Sequence, residues 1–234
     1  MPRNLRTARR IATKRNRLSP VWPTDIREAR EIQIALAAQV RCIPLASPIR
    51  LIAGVDASFS GDRVFAAACL YDFPSLGVVE EAVASRPLTF PYVPGFLSFR
   101  EGPVVLDVLA ALGRKPDLLL IDGQGMAHPR KLGLASHIGV LLGLPSIGCA
   151  KSRLIGEFRE PGPGRGCRSQ LTLNGQTIGA VVRTRTGVRP LFVSPGHLVD
   201  IPGSVRFVLR TAPRFRIPEP LRRADALSRA ASKS

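Results

Sequence analysis

Acidic residues are scarce in this sequence, which has 17 Asp and Glu against 34 Lys and Arg and a formal net charge of +17. Such an excess of positive charge repels itself unless a polyanion is near, and nucleic acid is the usual polyanion. A membrane surface is the competing partner, but the sequence has neither a basic amphipathic helix nor a lipidation motif. The charge balance therefore favours a nucleic-acid partner and no membrane.

Long apolar runs and paired cysteines are also missing. No apolar run reaches the ~18 residues that a membrane-spanning helix needs. The four cysteines form no Cys-x-x-Cys pair and have no partner at zinc-finger spacing, so the sequence gives no sign of structural zinc. These absences predict a cytoplasmic protein with reduced thiols, although an Arg-rich, acid-free start is also found in organellar transit peptides.

Positive charge is concentrated at the two ends of the chain. Residues 1–17 contain seven basic residues and no acid, and residues 210–234 contain seven basic residues and two acids. We therefore predict disordered basic arms at 1–20 and 214–234 around one folded domain at 21–213. Since the middle of the chain keeps a surplus of about +5, the expected nucleic-acid partner does not depend on the arms alone.

Hydrophobic periodicity divides the domain into strands and helices. Alternating or wholly apolar segments predict strands at 50–57, 63–73, 77–86, 118–121, 145–150, 170–174, 177–183 and 190–194. Helical spacing predicts helices at 24–40, 98–112, 131–143 and 203–211. The order is three antiparallel strands, a helix, and then parallel strands alternating with helices. It indicates an α/β domain with a mixed central sheet flanked by helices.

Two aspartates each follow an apolar strand segment of this sheet. Asp56 comes after residues 52–55, and Asp122 comes after residues 118–121. Ligand sites in open α/β sheets lie beyond the carboxyl ends of the strands. One acid in such a place usually begins a turn or caps a helix, but two on neighbouring strands would not both stay ionised without a cation. The pair therefore predicts a Mg²⁺ site for phosphodiester hydrolysis.

Glu101 and Asp200 are candidates for further members of the acidic set, and each has a structural alternative. Glu101 comes three residues after Ser98, which is the spacing of a helix-capping box. Asp200, just ahead of Pro202, has the position of a cap for the last helix. Spacing alone leaves both interpretations open for both residues.

Five segments resemble, in chain order, the signature blocks of the endonuclease V family. They are GVDAS (54–58), PYVPGFLSFRE (91–101), DGQGMAHPRKLGLASHIG (122–139), GCAKSRLIG (148–156) and VSPGH (193–197). The block at 122–139 is highly specific, and the resemblance covers about residues 24–211. It implies an RNase H-like fold, which agrees with the order of strands and helices.

The resemblance implies a role for each matching acid and for one lysine. Asp56 and Asp122 match metal-binding aspartates, and Glu101 matches the catalytic glutamate. Asp200 looks like the remaining acid of an RNase H-like set. Lys151 matches the active-site lysine, and a compact ammonium near the metal would stabilise phosphate charge in the transition state.

Two histidines of the long block are the other candidates, although a histidine beside a helix is more often structural than catalytic. His128 is expected to assist catalysis, and His137 to help build the substrate site. The segment Gly123-Gln124-Gly125 is expected to shape a lesion pocket, because glycines allow close backbone approach.

The segment Pro91-Tyr92-Val93-Pro94-Gly95 suggests a stiff aromatic tip. Prolines on both sides of the tyrosine fix φ before the tip meets nucleic acid. A rigid aromatic side chain can fill the gap that a base leaves when it is extruded from the stack. An ordinary proline-rich turn with a packed tyrosine is the alternative, but the family's strand-separating wedge has this same Pro-Tyr-x-Pro pattern.

By resemblance, the protein is expected to be a DNA-repair endonuclease that recognises deoxyinosine. It would cut the second phosphodiester bond 3′ to the lesion, leaving 3′-hydroxyl and 5′-phosphate ends, with Mg²⁺ or with Mn²⁺ as a substitute. One alternative is a ribonuclease acting on inosine in single-stranded RNA, and another is a non-catalytic nucleic-acid-binding protein on the same fold. Nothing in the sequence requires more than a monomer.

Overall fold

The computed structural model describes residues 22–233, so the basic arm predicted at 1–20 lies outside the described residues. The strands are β1 Leu51–Ser60, β2 Arg63–Asp72, β3 Val78–Pro87, β4 Leu118–Ile121, β5 Ser146–Ala150, β6 Arg168–Leu173, β7 Gln176–Val182 and β8 Leu191–His197. The helices are α1 Ile26–Ala37, α2 Leu97–Ala111, α3 Leu134–Leu142, α4 Ile201–Thr211 and α5 Glu219–Ala231. All the predicted strands and helices are confirmed, and α5 is an addition. None of the helices in the described range is long and apolar enough to cross a membrane.

The strands form one mixed sheet in the order β3-β2-β1-β4-β5-β8-β7-β6. The first three strands pair antiparallel, and β1, β4 and β5 pair parallel. The mixed sheet predicted for an RNase H-like fold is therefore confirmed. Its parallel part ends at β5, because β8 pairs antiparallel with β5 and the hairpin of β6 and β7 continues antiparallel from there. The predicted alternation of parallel strands and helices thus holds only as far as β5.

Both faces of the sheet are covered, which explains why β4 is wholly apolar. Leu119 and Ile121 belong to the core beneath α2 and α3. Leu118 and Leu120 belong to the core on the opposite face, beneath α4 and α5. Successive strand side chains point to opposite faces, so a strand buried on both sides must be apolar at every position. The first polar residue after β4 then lies at the edge of this core.

The prediction of a disordered C-terminal tail at 214–234 is wrong for most of that segment. Residues of α5 bury a face made of Leu221, Ala224 and Ser228, which recur at helical spacing. The arginines of α5 point away from this face, as expected for an amphipathic helix. Because the buried side chains are small and few, the charge dominates the composition of the segment.

Gly54 of β1 is the residue that lets α5 lie directly on the sheet. A Cβ atom at this position would stand 2.2 Å from the carbonyl carbon of Pro220 and 2.6 Å from the amide nitrogen of Leu221. No side chain fits in that space, so the first turn of α5 packs backbone against backbone over the centre of β1. This contact brings the rest of α5 past the neighbouring residues of β1.

Candidate active site

Asp56 and Asp122 lie next to each other at the centre of the sheet. Val55 and Ile121 are partners in the β1–β4 register, and each aspartate follows one member of this pair. The amide of Asp122 donates to the carbonyl of Val55 at 3.0 Å. Asp122 follows the end of β4 as predicted, but Asp56 does not end its strand, since it is still paired with Ala67 of β2. The two aspartates are brought together where β4 stops and β1 continues.

Glu101 of α2 brings a third carboxyl group to the aspartates. Its side chain is only 7% exposed. Burial, with the added negative charge of Asp56 and Asp122, raises the pKa of Glu101 to about 8. A carboxyl group with this pKa exchanges its proton near neutral pH, as a general acid or base must.

The capping-box interpretation of Glu101 is wrong. Helix α2 begins at Leu97, and its N-cap residue, Phe96, makes no side-chain cap bond. The hydroxyl of Ser98 instead hydrogen-bonds Nδ1 of His137 at 3.0 Å. Glu101 therefore lies one turn inside the helix and takes no part in its capping.

Asp225 of α5 is the fourth acid of the cluster, and it was not among the residues predicted from the sequence. Its Oδ1 lies 3.7 Å from Nζ of Lys151. The nearness of its carboxyl group to Asp56 also contributes to the raised pKa of Asp56. Asp200, the acid predicted for this role, caps α4 instead, where its side chain accepts from the amide of Gly203 at 2.8 Å. Asp225 thus takes the place in the cluster that we had expected for Asp200.

Burial, with repulsion among the acids second, sets the electrostatics of the cluster. Burial raises the pKa of Asp56 to about 8, Asp122 and Asp225 add to the rise, and Lys151 opposes it. Nζ of Lys151 donates to Oδ2 of Asp122. Burial alone would lower the pKa of Lys151, but the attraction of Asp122, Asp56 and Asp225 outweighs burial and raises it. Lys151 is therefore an ammonium at neutral pH, but its charge does not offset the effects of burial and of the neighbouring acids on the pKa of Asp56.

The donor set fits a hard divalent cation. Among residues 22–233, no three His, Cys, Asp or Glu side chains are arranged to hold a metal ion by themselves. This geometry does not conflict with Mg²⁺, which is usually held by one or two carboxylates and completed by water and substrate phosphate. Asp56 and Asp122 are the adjacent pair that fits such a role, and their mutual repulsion is what a cation would relieve.

The acids open into a pocket of about 790 Å³. Its walls include Asp56, Glu101, Asp122, Lys151 and Asp225. Three other basic side chains also line it, namely Arg153, Arg229 and Lys233. An acidic centre with a basic border suits a phosphate backbone, because the border attracts the anion and the centre binds a cation.

The segment 91–95, which we call the aromatic loop, forms one edge of this pocket. Tyr92 is 71% exposed and lines the pocket together with Val93, Pro94 and Gly95, whereas Pro91 precedes them outside the lining. The alternative of a packed tyrosine in an ordinary turn is therefore wrong. The structure presents an exposed aromatic ring beside the acids.

The predicted glycine segment is only partly at the pocket. Gly123 and Gln124 line it, and Nε2 of Gln124 donates to the carbonyl of Ser152 at 3.1 Å. Gly125 faces the sheet instead, where its amide donates to Oγ of Ser194 at 2.9 Å. The lack of a side chain at Gly125 thus serves packing against β8 and not contact with a ligand.

His128 lines the pocket with both ring nitrogens engaged by the chain, whereas His137 lies outside the lining. Nε2 of His128 lies 3.0 Å from the carbonyl oxygen of Gly95, and its Nδ1 accepts from the amide of Arg130 at 3.2 Å. Burial and then the charge of Arg130 lower the pKa of His128 to about 4, so both nitrogens of a neutral ring are engaged. His137 is buried against the ring of Trp22 at 5.3 Å, outside the pocket lining, and burial lowers its pKa to about 4.

A family model described as Endonuclease V matches residues 34–226. The chain belongs to the endonuclease V family. The matched range contains all four clustered acids, including Asp225 of the segment that sequence reasoning had treated as a tail. The resemblance stated from the signature blocks is confirmed.

Similar proteins and structures carry the same family name. Endonuclease V of Roseiflexus sp. (strain RS-1) is 52% identical over 207 residues, which cover 88% of this chain and 93% of the relative. The crystal structure of Endonuclease V from Streptomyces avermitilis matches with a TM-score of 0.87 at 44% identity, covering 91% of this chain and 95% of that chain. Ciona intestinalis Endonuclease V, in complex with a 24mer DNA containing an inosine followed by a ribo-adenosine, matches with a TM-score of 0.77 at 27% identity, covering 89% and 98%.

Substituting Asp225 and Asp200, the two candidates for the fourth acid of the cluster, tests the composition of the site directly. Asp225→Ala removes a carboxylate beside Lys151 and Asp56, and we expect turnover on a nucleic-acid substrate to fall by about 10- to 100-fold, as when a supporting acid of a metal site is lost. Asp200→Ala removes a helix cap, and we expect a loss of about 1 kcal/mol of stability with little change in turnover. Cleavage rates and thermal melts of both variants check this. A larger loss of cleavage rate in Asp200→Ala than in Asp225→Ala would show that Asp200, and not Asp225, belongs to the active site.

Proposed function

We propose that this member of the endonuclease V family is a DNA-repair enzyme that recognises deoxyinosine and hydrolyses the second phosphodiester bond on its 3′ side. The products would carry 3′-hydroxyl and 5′-phosphate ends, and no base would be removed. One observation carries the proposal: a single pocket joins the acidic cluster to the exposed aromatic loop. The inosine-containing DNA bound to the Ciona relative supports the choice of lesion.

Recognition of the lesion would use the aromatic loop and the pocket together. Reaching a base inside a duplex requires extruding it, at a cost of about a few kcal/mol for unstacking and unpairing. The ring of Tyr92 stands exposed at the pocket edge, where it can occupy the space that the base leaves. The pocket volume of about 790 Å³ is within the usual range for ligand sites and leaves room for an extruded nucleotide. Gly123 and Gln124 form the wall that such a base would meet.

Hydrolysis would rest on the acidic cluster and Lys151. Asp56 and Asp122 would hold Mg²⁺, which when bound supplies charge stabilisation at the scissile phosphate and activates water. The ammonium of Lys151, held by Asp122, would offset the negative charge that develops on the phosphate oxygens. Glu101 is buried next to both aspartates, and its raised pKa suits it to take up or release a proton near neutral pH.

The basic border would guide the strand that is to be cut across the pocket. Arg153, Arg229 and Lys233 line the same pocket as the acids. Phosphate contacts of this kind position a strand without reading its sequence. The base pocket would therefore supply the specificity, and the border would supply register and affinity.

A nicking assay tests the proposed function directly. Strands with one deoxyinosine, labelled at either end, would be compared with matched deoxyadenosine strands, in Mg²⁺, in Mn²⁺ and in chelator. We expect a cut two phosphodiesters 3′ to the lesion, only in the presence of a divalent cation. An inosine-containing single-stranded RNA run in parallel decides between DNA and RNA as the preferred substrate. Failure to cut any inosine-containing strand would contradict the proposal.

Removing the exposed ring should affect duplex substrates selectively. For Tyr92→Ala we expect the loss of kcat/KM on a deoxyinosine duplex to exceed the loss on the same single strand by about tenfold or more, because only the duplex requires a base to be separated from its pairing partner. Tyr92→Phe keeps the ring and should retain both activities. Equal losses on the two substrates would exclude the strand-separating role.

A further inference from the structure

The carbonyl oxygen of Gly95, at the end of the aromatic loop, is surrounded by three side-chain donors. Nε2 of Gln33 donates to it at 2.9 Å and Nη2 of Arg130 at 2.7 Å, while Nε2 of His128 lies at 3.0 Å. A carbonyl oxygen has two lone pairs, so three donors exceed what satisfying this group requires. We call these three side chains the Gly95 clamp.

Gln33 is the member of the clamp that lies outside the acidic site and its loops. It is a fully buried residue of α1, and both ends of its amide are engaged. Its Oε1 accepts from Nε of Arg130 while its Nε2 donates to Gly95. Burying an amide is unfavourable unless its hydrogen bonds are made. The other buried residue of α1, Ala29, is apolar, so packing of the helix does not by itself call for a polar side chain here.

Arg130 and the backbone of Gly95 are fitted to each other. Gly95 has φ of +80°, in the region that favours glycine, and a Cβ atom there would stand 3.0 Å from Nη2 of Arg130. The guanidinium of Arg130 also lies over the ring of Phe96, 4.3 Å from its centroid. The end of the aromatic loop is therefore held by hydrogen bonds, by a cation–π contact and by the shape of its backbone.

The clamp connects the aromatic loop with the segment that carries the metal-binding acid. His128 and Arg130 lie between β4 and α3, in the same connection that begins with Asp122. Gln33 of α1 contacts this connection through Arg130 and contacts the aromatic loop through Gly95. A shift of the loop relative to the acids must therefore break contacts with two separate parts of the chain, α1 and the connection from β4 to α3.

We propose that Gln33 is a positioning residue that, through Arg130 and Gly95, fixes the aromatic loop relative to the acidic cluster. The inference rests on the proposed function, in which Tyr92 separates the strands while the acids cut one of them. Cutting a duplex requires the ring and the acids to act at a set spacing. Cutting a flexible single strand requires the acidic cluster and the base pocket but no separation of strands. Loosening the clamp should therefore impair duplex cleavage and spare single-strand cleavage.

Gln33→Leu tests the proposal, because it keeps the volume of the side chain and removes both amide hydrogen bonds. We expect kcat/KM on a deoxyinosine duplex to fall by about tenfold, the equivalent of one or two hydrogen bonds, and the value on the single strand to stay within about threefold of wild type. Gln39→Leu is the matched control, since Gln39 is exposed and donates to the carbonyl of Ala35 four residues earlier. It should leave both activities unchanged.

A double variant separates a positioning role from a general weakening of the fold. If Gln33 acts through the aromatic loop, adding Gln33→Leu to Tyr92→Ala should cost little further duplex activity, because the ring it positions is already gone. Arg130→Lys keeps the positive charge but loses the planar guanidinium. It should produce the same loss of duplex cleavage with single-strand cleavage spared, and it replaces Gln33→Leu in the test if that variant is poorly soluble.

The outcomes distinguish this inference from the function on which it rests. A wild-type protein that cuts neither inosine substrate contradicts the proposed function itself. Equal losses of kcat/KM for Tyr92→Ala on both substrates contradict the strand-separating role of Tyr92. If those two tests succeed, the positioning role is overturned by equal losses of Gln33→Leu or Arg130→Lys on both substrates, or by additive losses in the double variant. A duplex-selective, non-additive loss supports it.

Discussion

Replacing Asp122 by asparagine is expected to reduce cleavage of a deoxyinosine strand by about 10³-fold or more. The change keeps the size of the side chain but removes the charge that Lys151 contacts and that would hold the cation. A loss of this size corresponds to about 4 kcal/mol of transition-state stabilisation, which is in the range that a bound metal supplies. Binding of the substrate should persist, because Asp122→Asn removes a negative charge that faces the phosphate backbone.

Single-turnover cleavage and a binding titration on the same labelled strand would measure the two effects separately. Asp107→Asn is a suitable control, since Asp107 pairs with Arg86 on the surface and takes no part in lining the pocket. Its cleavage rate should equal that of wild type. Unchanged cleavage by Asp122→Asn or Asp56→Asn would place the chemistry outside the acidic cluster. Binding of the strand by wild type without any cleavage would favour the non-catalytic alternative.

The centre of the site could be predicted because it depends on the properties of two strands. A wholly apolar β4 must be buried on both faces, so its first polar residue, Asp122, has to lie at the edge of the core. Asp56 is found beside it because β1 and β4 are parallel neighbours. The prediction that Asp56 ends its own strand failed, since the antiparallel partner β2 extends β1 beyond the point where β4 stops.

Asp225 could not be assigned to the acidic cluster from the sequence. The many charged residues of α5 made this segment look like a solvated tail, so its helical pattern was missed. The buried face of α5 is made of small residues, and only Leu221 among them is a large aliphatic side chain. One local signal was present: Gly54, inside an otherwise buried strand, indicates close approach of another backbone. Nothing in the sequence tells that this backbone is that of α5. For Asp200 the cap position before Pro202 was the better guide, and the structure follows it.

Contacts between distant segments account for the remaining differences. His128 and His137 lie in the most specific signature block, from which we expected His128 to assist catalysis and His137 to help build the substrate site. Their partners are the carbonyl of Gly95 and the hydroxyl of Ser98, which come from elsewhere in the chain. Periodicity and local spacing carry no information on such pairs. The roles of these histidines in holding the site together therefore became visible only from the fold.

Glu101→Gln is expected to abolish cleavage and, in the absence of metal, to make the protein more stable at pH 8. Burial and the neighbouring aspartates raise the pKa of Glu101 from 4.5 to about 8. A carboxyl group whose pKa is higher in the folded state stabilises the fold fully below its unfolded pKa, and this contribution is lost as pH rises through the folded pKa. Metal-free wild type should thus lose stability between about pH 4.5 and pH 8. Asp56, whose pKa is also raised to about 8, adds to this loss.

The glutamine variant removes the ionisation that causes this loss, so its stability should depend less on pH. At pH 8 we expect Glu101→Gln to gain on the order of 2–4 kcal/mol over metal-free wild type, since each displaced pKa unit corresponds to about 1.4 kcal/mol. Mg²⁺ should stabilise wild type more at pH 8 than at pH 5, and the variant less than wild type. Denaturant unfolding at both pH values, with exposed Glu31→Gln as the control, measures these differences. A variant less stable than metal-free wild type at pH 8 would mean that the Glu101 carboxylate is held by favourable contacts, and the cluster would then be a structural network that needs no cation.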